Sequence, residues 1–216
     1  MATPPIPRQR RPLPSGLLLI RAATSAVEVW AARGVVPVDV APLEHGWVVV
    51  VPATGRTAVE PPYDDPVVLL VNRPVPARMR PAIGLVVRGG EAVVCVAARG
   101  WRSGRRWLAW SPGEGLVPPG GLPLLSLPSL VAASGVADPG ALDALRAVGS
   151  DVAGAPRDFL VDLLAVLGLP GGPLLDGSAL VGDDERCRRV LPDGRAVAGF
   201  EGAVHEERLW HEELGL

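Results

Sequence analysis

Glycine and proline, 26 and 24 of 216 residues, cut the apolar residues of this chain into short runs. Leu17–Ile20 stops at Arg21, and Val67–Val71 stops at Asn72 and Arg73. Such runs suit short strands and helices, and they fall well below the roughly eighteen apolar residues of a membrane span. Hydrophobic residues still make up 48% of the chain and the net charge is only −2, which supplies a core and argues against global disorder. The first fifteen residues differ. Prolines at 4, 5, 7, 12 and 14 alternate with Arg8, Arg10 and Arg11, so residues 1–15 read as a disordered Pro/Arg-rich arm. Its apolar core is too short for a secretory signal.

From residue 16 the texture is strand-like, and an α+β domain is expected over 16–111. Gly16–Ala22 reads as a strand, and 24–33 as a helix capped by Thr24 or Ser25 and stopped at Gly34. Val36–Val40 and Trp47–Val51 follow as two strands joined by the polar turn at Glu44, His45 and Gly46. A similar order is written a second time: Val67–Val71 as a strand, 76–88 as a short helix, then Glu91–Ala97 and Arg106–Ser111 as a strand pair. This predicts a layered fold of duplicated β-α-β-β units.

Residues 112–125 are rich in proline and glycine and read as a linker or a long ordered loop. The period then changes. Leu127–Ser134, Pro139–Val148 and Pro156–Leu167 read as helices. In the last of these, Phe159, Leu160, Leu163, Leu164 and Leu167 form a core-facing stripe. A mainly helical, acidic region is thus expected over 126–216, with a β-hairpin near 188–198 around Pro192-Asp193-Gly194. A last helix over 201–214 would turn Val204, Leu209 or Trp210, and Leu214 inward.

Charge follows the same division. Residues 1–120 carry 14 arginines against 8 carboxylates, a net +6, and residues 121–216 carry 7 against 15, a net −8. All 21 basic residues are arginine. The chain therefore has no lysine for a Walker A loop, a kinase-type site or a Schiff base. The absence of lysine, with abundant Ala, Gly, Val, Pro and Arg, marks GC-rich coding of a bacterial kind. No serine stands in a G-x-S-x-G elbow, and Gly113 and Gly115 are followed by Pro118 where a dinucleotide fingerprint needs glycine. No cofactor is expected.

Three patterns remain as candidate sites. In HEERLWHEE (205–213), His205 and His211 lie among glutamates. A helix would separate them, whereas a strand would align them for a divalent metal. Cys187 stands between Arg186 and Arg188, whose charges would lower its thiol pKa if close; Cys95, inside VVCVAA, reads as a core thiol. The turn RGWRSGRR (99–106) sets Trp101, Arg102, Arg105 and Arg106 at the tip of a hairpin. Arginine beside tryptophan suits a protein hot spot or a nucleic-acid grip.

The expected function is a non-enzymatic adaptor or accessory subunit of a bacterial complex, cytoplasmic and without a membrane span. It would bind a protein partner, or a second copy of itself, through Trp101, Arg102, Arg105 and Arg106. Reversing charge at Arg102 and Arg105 is expected to weaken binding without loss of stability. Nucleic-acid binding by the same turn together with the arm Arg8–Arg11 is one alternative, and a metal-dependent hydrolase using His205, His211 and the nearby glutamates is another.

Overall fold

A computed structural model describes residues 15–61, 63–100 and 104–214. Most of the expected arm therefore lies outside the described residues. An eight-stranded sheet forms the centre, in the order β7-β6-β5-β4-β1-β3-β2-β8, with every neighbouring pair antiparallel. Its strands are β1 (Gly16–Ile20), β2 (Val38–Pro42), β3 (Val48–Pro52), β4 (Ala82–Arg88), β5 (Glu91–Ala97), β6 (Arg106–Ser111), β7 (Gly115–Val117) and β8 (Arg188–Val190). Helices lie on both faces, so the fold is α+β.

The unbroken apolar runs of β1 and β3 have a direct cause. Side chains alternate across a sheet, so a strand covered on both faces must be apolar at every position. Leu17 and Leu19 enter one core with Val49 and Val51, while Leu18 and Ile20 enter the other with Val48 and Val50. The four β1 side chains from Leu17 to Ile20 have 0% exposure.

One layer contains α1 (Thr24–Ala32), α2 (Pro66–Asn72) and the first turns of α7 (Gly194–Leu214). The other contains α3 (Leu127–Ser134), α4 (Ala141–Ser150), α5 (Pro156–Val166) and α6 (Gly172–Asp176). The stripe on α5 packs as expected: Phe159, Leu160, Leu163 and Leu164, with Leu167 just beyond the helix, are buried in one core with Leu85, Val94, Val96 and Leu108 of the sheet. Trp110 of β6 stacks on Phe159 with ring centroids 5.1 Å apart, and its Nε1 donates to the Asp151 carbonyl at 3.1 Å. Trp107, an odd number of residues earlier, packs on the opposite face beside Val67, Val71 and Cys95.

Several expectations are corrected. Residues 66–72 form helix α2, not a strand, because the Asp65 carboxylate caps it by accepting from the N–H groups of Val67 and Val68 (both 3.0 Å), with Pro66 in its first turn. Helix α1 begins after Ala23 with no side-chain cap, so Thr24 and Ser25 are its first residues. The expected helix over 76–88 is a short 3-10 turn at Ala77–Met79 followed by β4. With those changes the second half of the sheet domain runs α-β-β-β, and two β-α-β-β units in the proposed register are not present. Residues 112–125 hold β7, and Leu124 bridges to Trp107. The hairpin near 188–198 is also absent: β8 pairs with β2 instead, and α7 starts at Gly194. The Asp193 carboxylate accepts from the Arg195 N–H at 2.9 Å, which turns the Pro-Asp-Gly signal into a helix start. In α7, Val197 and Phe200 pack on the body, whereas Leu209 and Trp210 are exposed.

The α2 layer approaches the sheet at two glycines. A Cβ at Gly16 would lie 2.7 Å from Val67 Cγ1 and 2.4 Å from the Leu85 carbonyl oxygen; at Gly84 it would lie 2.6 Å from Cys95 Sγ. No helix among the described residues is long and apolar enough to cross a membrane.

Leu160, with 0% exposure, joins α5 to the sheet. Leu160→Ala should cost about 2–5 kcal/mol. In urea, monitored by circular dichroism and tryptophan fluorescence, the whole molecule should unfold in one earlier transition. A sheet signal that melts separately at its original midpoint would show that the helices are an independent unit.

Candidate functional site

Strand register decides which loops meet. Ile20 pairs with Ala82, Ala82 with Ala97, and Val96 with Arg106. The residues after β1, before β4, after β5 and before β6 therefore emerge at one end of the sheet. They are rich in arginine: Arg21, Arg80, Arg99 and Arg105, with Arg73 and Arg78 in the segment leading into β4. The β2–β3 turn lies at the same end, since Ile20 also pairs with Val48, and contributes Glu44. The turns at the opposite end are mixed in charge. There Glu60, Asp64, Asp65, Glu91 and Glu114 accompany Arg56 and Arg88, and Arg88 Nε stands 3.8 Å from the Asp65 carboxylate.

The arginines build the end as well as charge it. Arg99 Nε donates to the Arg80 carbonyl (2.6 Å), Arg80 Nε to the Val75 carbonyl (3.2 Å), and Arg105 Nη2 to the Arg73 carbonyl. The loop 73–80 is thus clasped by guanidinium groups from three places in the chain. Arg73 Cζ lies over Trp30, 4.2 Å from the ring centroid, and its Nη1 reaches the Ala31 carbonyl at the end of α1 (3.4 Å). Arg21 sits 6.0 Å above the Trp47 ring. It also lines, with Arg99, Ser129 and Gly135, a groove of about 350 Å³ against α3.

Among the described residues neither Arg73 nor Arg105 has a carboxylate partner, although both are half-buried. Burial, and then the charge of Arg33, pull the Arg73 pKa down to about 10. Burial is also the main cause that lowers Arg105, aided by Arg80 and opposed by Cys95. Guanidinium groups held partly out of water near like charges favour an anion, because a carboxylate or phosphate restores what desolvation removed.

Of the residues expected at this site, Trp101 and Arg102 lie outside the described residues. Arg106 is exposed as the first residue of β6. Arg105 is both a charge and a brace, so its replacement will also cost stability, contrary to the expectation from sequence. Arg21, Arg73, Arg78 and Arg80 were missed. They are distant in the chain, and no local pattern joins them to the 99–106 turn.

The other candidates fall differently. His205 and His211 are both on α7, where six residues place them about 120° apart around the axis. The strand that would align them is not formed, and the side chain of His211 is outside the described residues. Cys187 is shifted opposite to expectation: burial first, then Asp39 and Asp184, raise its pKa against the pull of Arg189 and Arg188. Asp184 is itself engaged by Arg186 Nη2 at 2.8 Å. Cys95 is buried between α2 and the sheet, its Sγ 3.7 Å from the Val71 carbonyl, and burial pushes it up to about 11.

Comparison with models of known protein families, with curated proteins and with solved structures finds no match to this chain.

The Cys95 shift has a consequence for stability. An unfolded thiol ionises near 9.0 and the folded one near 11, so the stabilisation is complete below pH 9 and is lost as pH rises toward 11. Arg73 and Arg105 act in the opposite sense in alkali, so the term is isolated by comparing Cys95→Ala with its parent. The melting temperature of the parent should fall relative to the variant between pH 9 and 11. Parallel profiles would show that the thiol ionises freely in the fold.

Proposed function

We propose that the protein is a non-enzymatic adaptor or accessory subunit that grips an acidic protein segment at the arginine-rich end of its sheet. One observation carries this reading: arginines from four separate segments converge there, and one of them, Arg105, is half-buried without a carboxylate partner among the described residues. Such groups bind and orient anions, and a guanidinium charged at neutral pH serves poorly as a base or nucleophile. The groove between this end and α3 would extend the contact along the surface of a partner. Electrostatic steering by a one-sided positive end speeds encounter with an acidic surface and rejects basic ones. A cytoplasmic place is supported by the two free thiols, Cys95 and Cys187.

The test uses arginines whose side chains hold no loop by a hydrogen bond among the described residues. Arg21 and Arg78 are exposed and make no hydrogen bond from their guanidinium groups among the described residues. Tagged parent, the Arg21→Glu/Arg78→Glu variant and an Arg56→Glu control from the far end are used for affinity capture from native host extract treated with nuclease. A stoichiometric acidic protein should be retained by parent and control and lost about ten-fold or more by the double variant, with melting temperatures unchanged. Equal retention by all three would overturn the proposal. Capture that vanishes with nuclease would overturn it in favour of nucleic acid.

A further inference from the structure

A second recognition site lies under α7, away from the groove at α3. A cavity of about 290 Å³ opens between the end of α1, helix α2 and the first turns of α7. Val36, Val38, Leu69, Leu70 and Phe200 supply most of its wall, and its polar lining is Arg33, Asn72 and Arg73. Three features make this a built site. Gly34 leaves room for the guanidinium, since a Cβ there would lie 2.7 Å from Arg73 Nη1. Trp30 lies under the Arg73 guanidinium, whose Nη1 is also held by the Ala31 carbonyl, so the group is in place before any ligand arrives. Phe200 in turn is propped edge-on by Tyr63, with centroids 5.3 Å apart at 89°, and the Tyr63 hydroxyl donates to Glu207 of the same helix at 3.4 Å.

The chemistry of the lining selects the ligand. Arg73 carries five donors, of which one is engaged among the described residues, on the Ala31 carbonyl. Asn72 donates to the Val68 carbonyl at 2.9 Å, which leaves its side-chain oxygen as an acceptor. The two guanidinium groups thus give the cavity a positive side, and the remaining wall is aliphatic and aromatic. Its volume is at the small end of ordinary ligand sites, about 300–1,000 Å³.

We propose that this cavity binds a small amphiphilic carboxylate, a straight-chain or aryl-substituted acid of about six to ten carbons. The carboxylate pairs with Arg73 and Arg33, and the tail lies among Val36, Leu69, Leu70 and Phe200. Ala196 and Phe200 belong to α7, so an occupied site also fastens that helix to α1 and α2.

Isothermal titration of the full chain with octanoate, octanol and acetate, below any micelle concentration, tests this. Octanoate should bind one to one, octanol about ten-fold or more weakly because it lacks the charge, and acetate without measurable heat. Arg73→Gln should abolish octanoate binding, but it also removes a brace of α1. Arg33→Gln, at an exposed position, is therefore the second variant and should weaken octanoate several-fold at unchanged melting temperature. Ala196→Trp, which fills the cavity, should remove binding of octanoate. Arg21→Glu/Arg78→Glu should leave it intact, which separates this site from the partner surface. No heat with octanoate, equal affinity for octanoate and octanol, or octanoate binding unaltered by both Arg33→Gln and Ala196→Trp would each overturn the proposal.

Discussion

Burial of β1 and β3 on both faces is the constraint on which the rest of the molecule depends. These strands stand next to each other in the sheet, and their side chains supply both cores at once. An antiparallel sheet can leave one face to water, but a strand reading Leu-Leu-Leu-Ile cannot. Two helical layers are therefore required, one from α1, α2 and α7 and one from α3 to α6. Removing either layer would expose a continuous apolar face far larger than a soluble surface tolerates. The glycines at 16 and 84 complete the arrangement by letting α2 close on the strands without displacing them.

The same strand order sorts charge. In a run of antiparallel strands successive turns alternate between the two ends, so chemistry confined to alternate turns gathers at one end. Here those turns carry Arg21, Arg80, Arg99 and Arg105, and the loop 73–80 is held down by the last three. Packing like charges together and partly out of water costs free energy unless an anion compensates. The internal compensation used elsewhere in the molecule shows the contrast. Asp39, 7% exposed in β2, is met by Arg189 of β8 through two hydrogen bonds of 2.9 and 3.0 Å. That pair fixes the short edge strand β8, and with it the start of α7. At the arginine end Arg105 has no such carboxylate partner among the described residues, and the proposed partner would supply one.

The last part of the chain links the two proposed sites to the fold. Strand β8 closes one edge of the sheet, the Asp193 N–H donates to the Ala32 carbonyl at 2.6 Å, and Val197 and Phe200 seal the face beneath. Beyond Phe200 the helix still meets the body where Tyr63 donates to Glu207, and Leu209 and Trp210 are exposed. Arg73 is shared between regions: its side chain lines the cavity under α7 and its carbonyl receives Arg105.

Local signals in the sequence determined the elements whose period and end signals agree. Strands β1, β2, β3, β5 and β6 and helices α3 and α5 were legible. Where two signals competed, composition misled. Val67–Val71 has the β-branched look of a strand, yet Asp65 and Pro66 before it form a cap, and the cap prevails because α2 can bury its valines against Gly16 and Gly84. Pro192-Asp193-Gly194 suits a hairpin, but the next residues found α1 and the sheet face to pack on and formed a helix. The arginine end was half legible: Arg105 and Arg106 stand in one turn, whereas Arg21, Arg73, Arg78 and Arg80 join them only through strand pairing. Sequence by itself fixed the class of the fold, because the 2.0 and 3.6 periods are local properties of the backbone. Tertiary structure alone decided which charges became neighbours, because pairing between strands distant in the chain sets those distances and no local pattern encodes it.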